Sequence, residues 1–134
     1  MYPHYELPSE RVIAYTAAMI DGEGSICIQG SHYQVNITQG VVNDGEDLCR
    51  WFAEVWGFGY VGCHQGARKN MHWRWAVAQT HQLDHLLTAC LPDMRVKKQK
   101  AIDALEWIHG RIAEGRRCHW MRRGPVVARP LGSA

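Results

Sequence analysis

Apolar positions along the chain switch between two periods. Over residues 10–20 they recur every three to four positions. Val12, Tyr15, Thr16, Met19 and Ile20 gather on one side of a helix, and Ala14, Ala17 and Ala18 on the other. Ser9 stands where an N-cap side chain accepts a backbone N–H, Glu10 suits the positive end of the helix dipole, and Gly22 and Gly24 predict the stop. The period then drops to two. SICIQ sets Ile26 and Ile28 against Ser25, Cys27 and Gln29, and YQVNITQ sets Val35 and Ile37 against Gln34, Asn36 and Thr38. Gly30-Ser31-His32 between the two runs predicts a hairpin turn. Asp44 is placed to cap a second helix, in which Leu48, Trp51, Phe52 and Val55 repeat at helical spacing until Gly57. A second hairpin follows: GYVGCH, a loop near residues 66–70, and HWRWAVAQ, with Trp73, Trp75 and Val77 inward and His72, Arg74 and Ala76 outward. Helices are then expected over about 81–90 and about 96–113.

This order predicts an α+β domain over residues 1–115, with a four-stranded antiparallel sheet made of two hairpins and helices packed on one face. Residues 116–134 form a basic C-terminal tail, expected to be partly disordered. A length of 134 residues, 46% of them apolar, suffices for one buried core. Six tryptophans and a charged fraction of 21% exclude a disordered chain. No run approaches the roughly 18 apolar residues of a membrane span, so no membrane partner is expected. The start, MYPHYELPSE, lacks the basic and apolar regions of a secretory signal. Five cysteines, odd in number and without a C-x-x-C, read as reduced thiols in a cytoplasmic or organellar interior.

The formal net charge of +2 hides an asymmetry. Residues 1–94 hold five Lys/Arg against ten Asp/Glu, whereas residues 95–134 hold ten against three. A basic C-terminal third points to a polyanionic partner, although many basic faces are simply solvated. The same choice attaches to the outward sheet face. Rows of Gln, Asn, Thr, Ser, His and Arg are ordinarily solvated, and they are also what reading base edges in a groove requires.

The first helix carries two anomalies. It is apolar all round, so both sides must be covered. Its alanine side suits close approach by another helix, either a copy of itself in a C2 dimer or a second helix of the same chain. It also ends Asp21-Gly22-Glu23, where each exposed carboxylate opposes the helix dipole by about 0.3–1 kcal/mol. Broken local rules tend to mark functional sites. Two such ends meeting at a dimer axis would call for a divalent cation. The plainer role is capping of neighbouring N–H groups, which suits Asp21 better than Glu23.

Thr16-Ala17-Ala18-Met19-Ile20-Asp21-Gly22-Glu23-Gly24, followed by Ser25, resembles the LAGLIDADG motif, with Thr for the opening Leu and Ala for the first Gly. The similarity runs through roughly residues 10–110, over YQVNITQ, Arg50-Trp51-Phe52, Gly57-Phe58-Gly59-Tyr60-Val61 and Arg95-Val96-Lys97-Lys98-Gln99-Lys100-Ala101. The resemblance implies a homing endonuclease of the single-motif, homodimeric type. Each subunit would fold α-β-β-α-β-β-α, and two saddle-forming sheets would lie along the major groove of double-stranded DNA. Both strands of a long near-palindromic site would be cut with a divalent metal, normally Mg2+, with Mn2+ as a substitute and Ca2+ in a non-cleaving complex.

By position, Glu23 matches the metal-ligating acid, with the Gly22 carbonyl as a further ligand. Gln39 matches the glutamine near the nucleophilic water. Lys97 matches the lysine at the scissile phosphate, with Lys98 as its rival one residue on. The family's further basic residue has no clean counterpart, since Asn43 stands there by spacing and Arg50 lies beyond. The alanine face of Ala14, Ala17 and Ala18, with Asp21, would form the dimer interface. DNA contacts are expected from the outward positions Ser25, Cys27, Gln29, Ser31, Gln34, Asn36 and Thr38, from His64, Arg68, Lys69, His72 and Arg74, and from Lys98. Arg68 and Arg74 suit guanine, and Gln29, Gln34 and Asn36 suit adenine. His64, His72 and Cys63 lack a fourth zinc ligand at standard spacing. The alternative activity is an intron maturase that binds RNA, or a DNA-binding protein that no longer cuts. Joint presence of Glu23, Gln39 and Lys97 favours cutting.

Overall fold

The computed structural model describes residues 4–41, 44–65 and 71–121, with backbone alone for 116–121. Asn43, Arg68, Lys69 and residues 122–134 of the basic tail lie outside the described residues. The elements follow the predicted order: α1 (Glu10–Glu23), β1 (Gly24–Gln29), β2 (His32–Gly40), α2 (Gly45–Trp56), β3 (Tyr60–Gln65), β4 (Met71–Val77), α3 (Thr80–Cys90), a short 3-10 turn (Leu91–Asp93) and α4 (Lys98–Met121). The strands form one antiparallel sheet in the order β1-β2-β4-β3. Consecutive hairpins thus lie side by side, with β2 and β4 at the centre.

Parity divides the sheet. Val35 and Ile37 of β2, Ile26 of β1, and Trp75 and Val77 of β4 turn inward and are buried against the helices. Phe52 of α2 stacks on Trp75 at 5.0 Å, and the Trp75 indole N–H donates to the Phe58 carbonyl at 2.9 Å. Buried polar atoms in the helix layer are paired in series. The Trp56 indole N–H donates to the Thr16 hydroxyl at 3.0 Å, which donates to the Val12 carbonyl at 2.7 Å. No helix among the described residues is long and apolar enough to cross a membrane.

Several boundaries differ from the sequence reading. Helix α1 passes through Gly22 and ends at Glu23, and Gly24 leaves it in an extended conformation. A Cβ on Gly24 would lie 2.5 Å from the Asn36 carbonyl oxygen, so close packing against β2, and not helix breaking at Gly22, fixes the end. The first turn has two residues: Gly30 takes φ 64°, and His32 pairs with Gln29 as part of β2. Asp44 occupies the N-cap position of α2 in the left-handed region and makes no side-chain cap bond. Ile28 has the inward parity but is 63% exposed, near the hairpin end of the edge strand β1. Tyr15 is 43% exposed on α1, lying against Trp51 and Phe52 from outside. Helix α4 continues beyond the expected end near residue 113 to Met121.

Gly59 packs tightest. It sits at φ 104°, and a Cβ there would fall 2.1 Å from the Trp75 indole nitrogen. Gly59→Ala should therefore destabilise the fold by about 2 kcal/mol or more through backbone strain and displacement of Trp75. Gly110→Ala on α4, where a Cβ meets nothing within 4 Å, should stabilise by up to about 1 kcal/mol. Urea unfolding of the two variants beside the wild type checks the opposite signs.

Candidate nucleic-acid interface and acidic centre

The sheet face away from the helices is built by the other parity. Cross-strand register aligns Ser25 with Asn36, Ala76 and Tyr60 in one row, Thr38 with Arg74 and Gly62 in the next, and Gly40 with His72 and His64 in the third. Cys27 pairs with Gln34, and Gln29 with His32, toward the first hairpin turn, where Ser31 stands. The expected contact residues Ser25, Cys27, Gln29, Gln34, Thr38, His64, His72 and Arg74 thus share one surface, whereas Asn36, of the same parity, is buried beneath it. None of the described residues of that face is Asp or Glu.

Its polar groups are partly connected. The Ser25 hydroxyl donates to the Asn36 side-chain oxygen at 3.1 Å, and the Asn36 amide donates to the Gln34 oxygen at 3.4 Å. The Gln29 amide donates to the Cys27 sulfur at 3.6 Å. Such contacts limit the rotamers of side chains that present both donors and acceptors outward. Two members of this face, His32 and Tyr60, were missed from sequence. Continuing the period-two alternation from Gln34 to His32, and from His64 through Gly62 to Tyr60, would have found them.

A second group of residues meets where α1 ends. The Asp21 carboxylate accepts the backbone N–H of Arg95 at 2.7 Å and of Lys97 at 3.0 Å. In return the Lys97 ammonium donates to the Asp21 carbonyl oxygen at 2.6 Å. Asp21 therefore lies at the unfavourable end of its own helix and at the favourable start of α4. Desolvation works against its charge, but the N–H groups of Arg95, Lys97 and Val96, with the Lys97 ammonium, outweigh it and hold the carboxyl below its ordinary value. Lys97 is half-buried by this tie, whereas Lys98, the first residue of α4, is exposed.

Glu23, one residue before β1, is exposed and has no ion pair or hydrogen bond among the described residues. Gly22 beside it is also exposed, with open space where a Cβ would be. Its carbonyl belongs to the last helical turn, which has no further N–H groups ahead of it. Gln39 lies near the end of β2, two residues past the Ile37–Gly24 pair, at the same end of the sheet. Arg50 is engaged elsewhere: its guanidinium pairs with Glu46 at 2.9 Å and lies over the Trp73 ring.

Hard oxygen donors such as a carboxylate and a backbone carbonyl fit Mg2+ or Ca2+, which take six or more oxygens. One chain supplies only part of such a set here. Among the described residues no three His, Cys, Asp or Glu stand close enough to hold a metal by themselves.

The alanine face divides. Ala14, Ala18 and Gly22 are exposed at four-residue intervals along α1, but Ala17 is fully buried in the chain's own core. Ala17 therefore packs inward, away from the exposed Ala14 and Ala18, and the Asp21 carboxylate is engaged by backbone N–H groups of its own chain.

Removing the Asp21 tie should loosen the start of α4. Asp21→Asn is expected to destabilise by about 1 kcal/mol near neutral pH, as loss of a helix cap does. Because the folded pKa lies below the unfolded value, this contribution is present above the unfolded pKa and is lost as pH falls through the folded one. Denaturant unfolding of both proteins should give a difference that closes on acidification below about pH 4.

No protein-family model matches the sequence, and no curated protein matches it closely. Similarity to solved structures is clear. The homing endonuclease I-CvuI, in complex with the I-CreI target in the presence of Mg with the DNA not cleaved, aligns over 90% of this chain and 88% of its own, with a TM-score of 0.57 and 13% identity. The archaeal intron-encoded homing endonuclease I-Vdi141I, complexed with DNA, aligns over 82% of this chain and 74% of its own, with a TM-score of 0.60 and 20% identity. The meganuclease I-SmaMI, bound to uncleavable DNA, aligns over 82% of this chain but 39% of its own, at a TM-score of 0.60 and 13% identity. With its motif helix leading into two hairpins, this chain has the fold of the LAGLIDADG homing endonucleases.

Proposed function

We propose that the protein is a metal-dependent, site-specific DNA endonuclease of the homing type that acts as a homodimer. The observation that supports this reading is the tie of Lys97 to the Asp21 carbonyl at the end of α1, next to Gly22 and the exposed, unpaired Glu23 in sequence, with a polar sheet face that bears no carboxylate among the described residues. A hydrolytic centre and a surface compatible with a polyanion share a boundary.

In this reading the outward face enters the major groove. Arg74 suits a guanine edge, and the Gln34 amide, bonded to the buried Asn36, suits adenine. Glu23 and the Gly22 carbonyl would hold a divalent cation, Mg2+ for cutting and Ca2+ for binding without cutting. Bound there, the cation supplies an acidic water and charge neutralisation at the phosphate. Gln39 orients the attacking water. Lys97 uses one of its three N–H donors on the Asp21 carbonyl, which leaves two for a phosphate oxygen as charge develops. Lys98, exposed on the first turn of α4, contacts the backbone.

Two strands need two such centres, and each chain carries one motif. The exposed stripe of Ala14, Ala18 and Gly22 lets the backbones of two α1 helices approach. This brings both Glu23 carboxylates to a common axis and pairs the symmetry of the protein with that of a near-palindromic site.

Incubation of the protein and Mg2+ with a randomised duplex library, followed by sequencing of cut ends, tests the reading. Paired breaks within one near-palindromic sequence are expected. Glu23→Gln should abolish cutting while specific binding persists, because it removes charge and little volume. Lys97→Ala should lower the cutting rate by about 10²-fold or more with little change in affinity, and Lys98→Ala should do the reverse. Cutting by the Glu23→Gln variant at the wild-type rate would contradict the metal assignment. Retention of structured RNA without any duplex cutting would favour the maturase reading instead.

A further inference from the structure

We infer that His64 and His72 form a proton-linked contact for the phosphate-rich backbone of DNA, so that binding a duplex draws protons onto this pair. The inference rests on the DNA-binding reading above and deepens it. The two residues are direct cross-strand partners of β3 and β4, on the outward face, with ring centroids 5.8 Å apart. Arg74 stands in the adjacent row. The β2 neighbours in these rows, Gly40 and Thr38, carry no titratable group, and the outward neighbours along β3 are Gly62 and Tyr60. The adjoining segment 66–70, which contains Arg68 and Lys69, lies outside the described residues.

The pair thus faces cationic groups and no carboxylate among the described residues. In the unbound chain, desolvation and then the fields of Arg74 and His72 lower the pKa of His64 below its ordinary value, favouring the neutral ring. The His64 Nδ1 atom is also buried without a hydrogen-bond partner, so the unbound surface leaves that atom unsatisfied. A polyanion laid on this face reverses the electrostatic balance. Phosphate charge favours imidazolium over the neutral ring. A group whose pKa rises on binding takes up a proton, so affinity must fall as pH rises through neutrality. The field of an arginine fixed at this position would need no proton.

Binding of sonicated duplex DNA at low ionic strength, with Ca2+ in place of Mg2+, should be measured from about pH 6 to about pH 8. The wild-type Kd is expected to weaken by up to about tenfold per pH unit for each proton linked. Calorimetry in two buffers of different ionisation enthalpy should count about one proton or more taken up. His64→Gln with His72→Gln should flatten the pH dependence and lower the proton count. His64→Arg should bind at the upper pH as the wild type binds at the lower. An equal pH slope and proton count in the wild type and the double Gln variant would overturn the role of the pair. Absence of duplex binding at every pH would overturn the DNA reading itself, and this inference with it.

Discussion

One carboxylate, Asp21, joins the end of α1 to the start of α4, the two parts of the chain that the proposed site requires. It accepts N–H bonds from residues 74 and 76 positions further along the sequence, and the Lys97 ammonium returns a bond to its carbonyl. Three effects coincide there. The start of α4 gains the acceptor that its orphan N–H groups need, the end of α1 gains a cation, and Lys97 is held against the Asp21 carbonyl. A charge that breaks the rule for its own helix obeys the rule for another. No such repair reaches Glu23, whose exposed carboxylate remains available for a ligand from outside the chain.

The rest of the molecule holds that junction against a surface. Stacking of Phe52 on Trp75, and the indole bond to Phe58, fix the inward side of the central strands. With side chains alternating, fixing the inward side also fixes which residues face outward. A shift of one residue would bury Thr38 and Arg74 and expose Ile37 and Trp75. The arrangement of the polar face is therefore enforced by burial elsewhere, and its chemistry is free to vary without cost to the core.

Local periodicity was sufficient for element order, strand parity and most of the outward face, because these depend on residues a few positions apart. The motif helix and its acidic end were legible for the same reason. Long-range geometry was not. Asp21 was expected near a dimer axis, but its engagement depends on where α4 begins. Ala17 looks like Ala14 and Ala18 in sequence, yet it faces inward because the wheel position alone does not say how wide the covered sector is. Gly22 and Gly24 both read as helix breakers, and only the approach of the Asn36 carbonyl selects Gly24. His32 was assigned to a turn because Gly30-Ser31-His32 and Gly30-Ser31 are equally good turn sequences, which cross-strand pairing decides.

The central claim is that one chain carries half of a centre that cuts two strands. Light scattering on the protein with a duplex recovered by cleavage selection, in Ca2+, measures this most directly. The account predicts two chains on each duplex. One chain per duplex, in a preparation that still cuts both strands when Mg2+ is supplied, would contradict it.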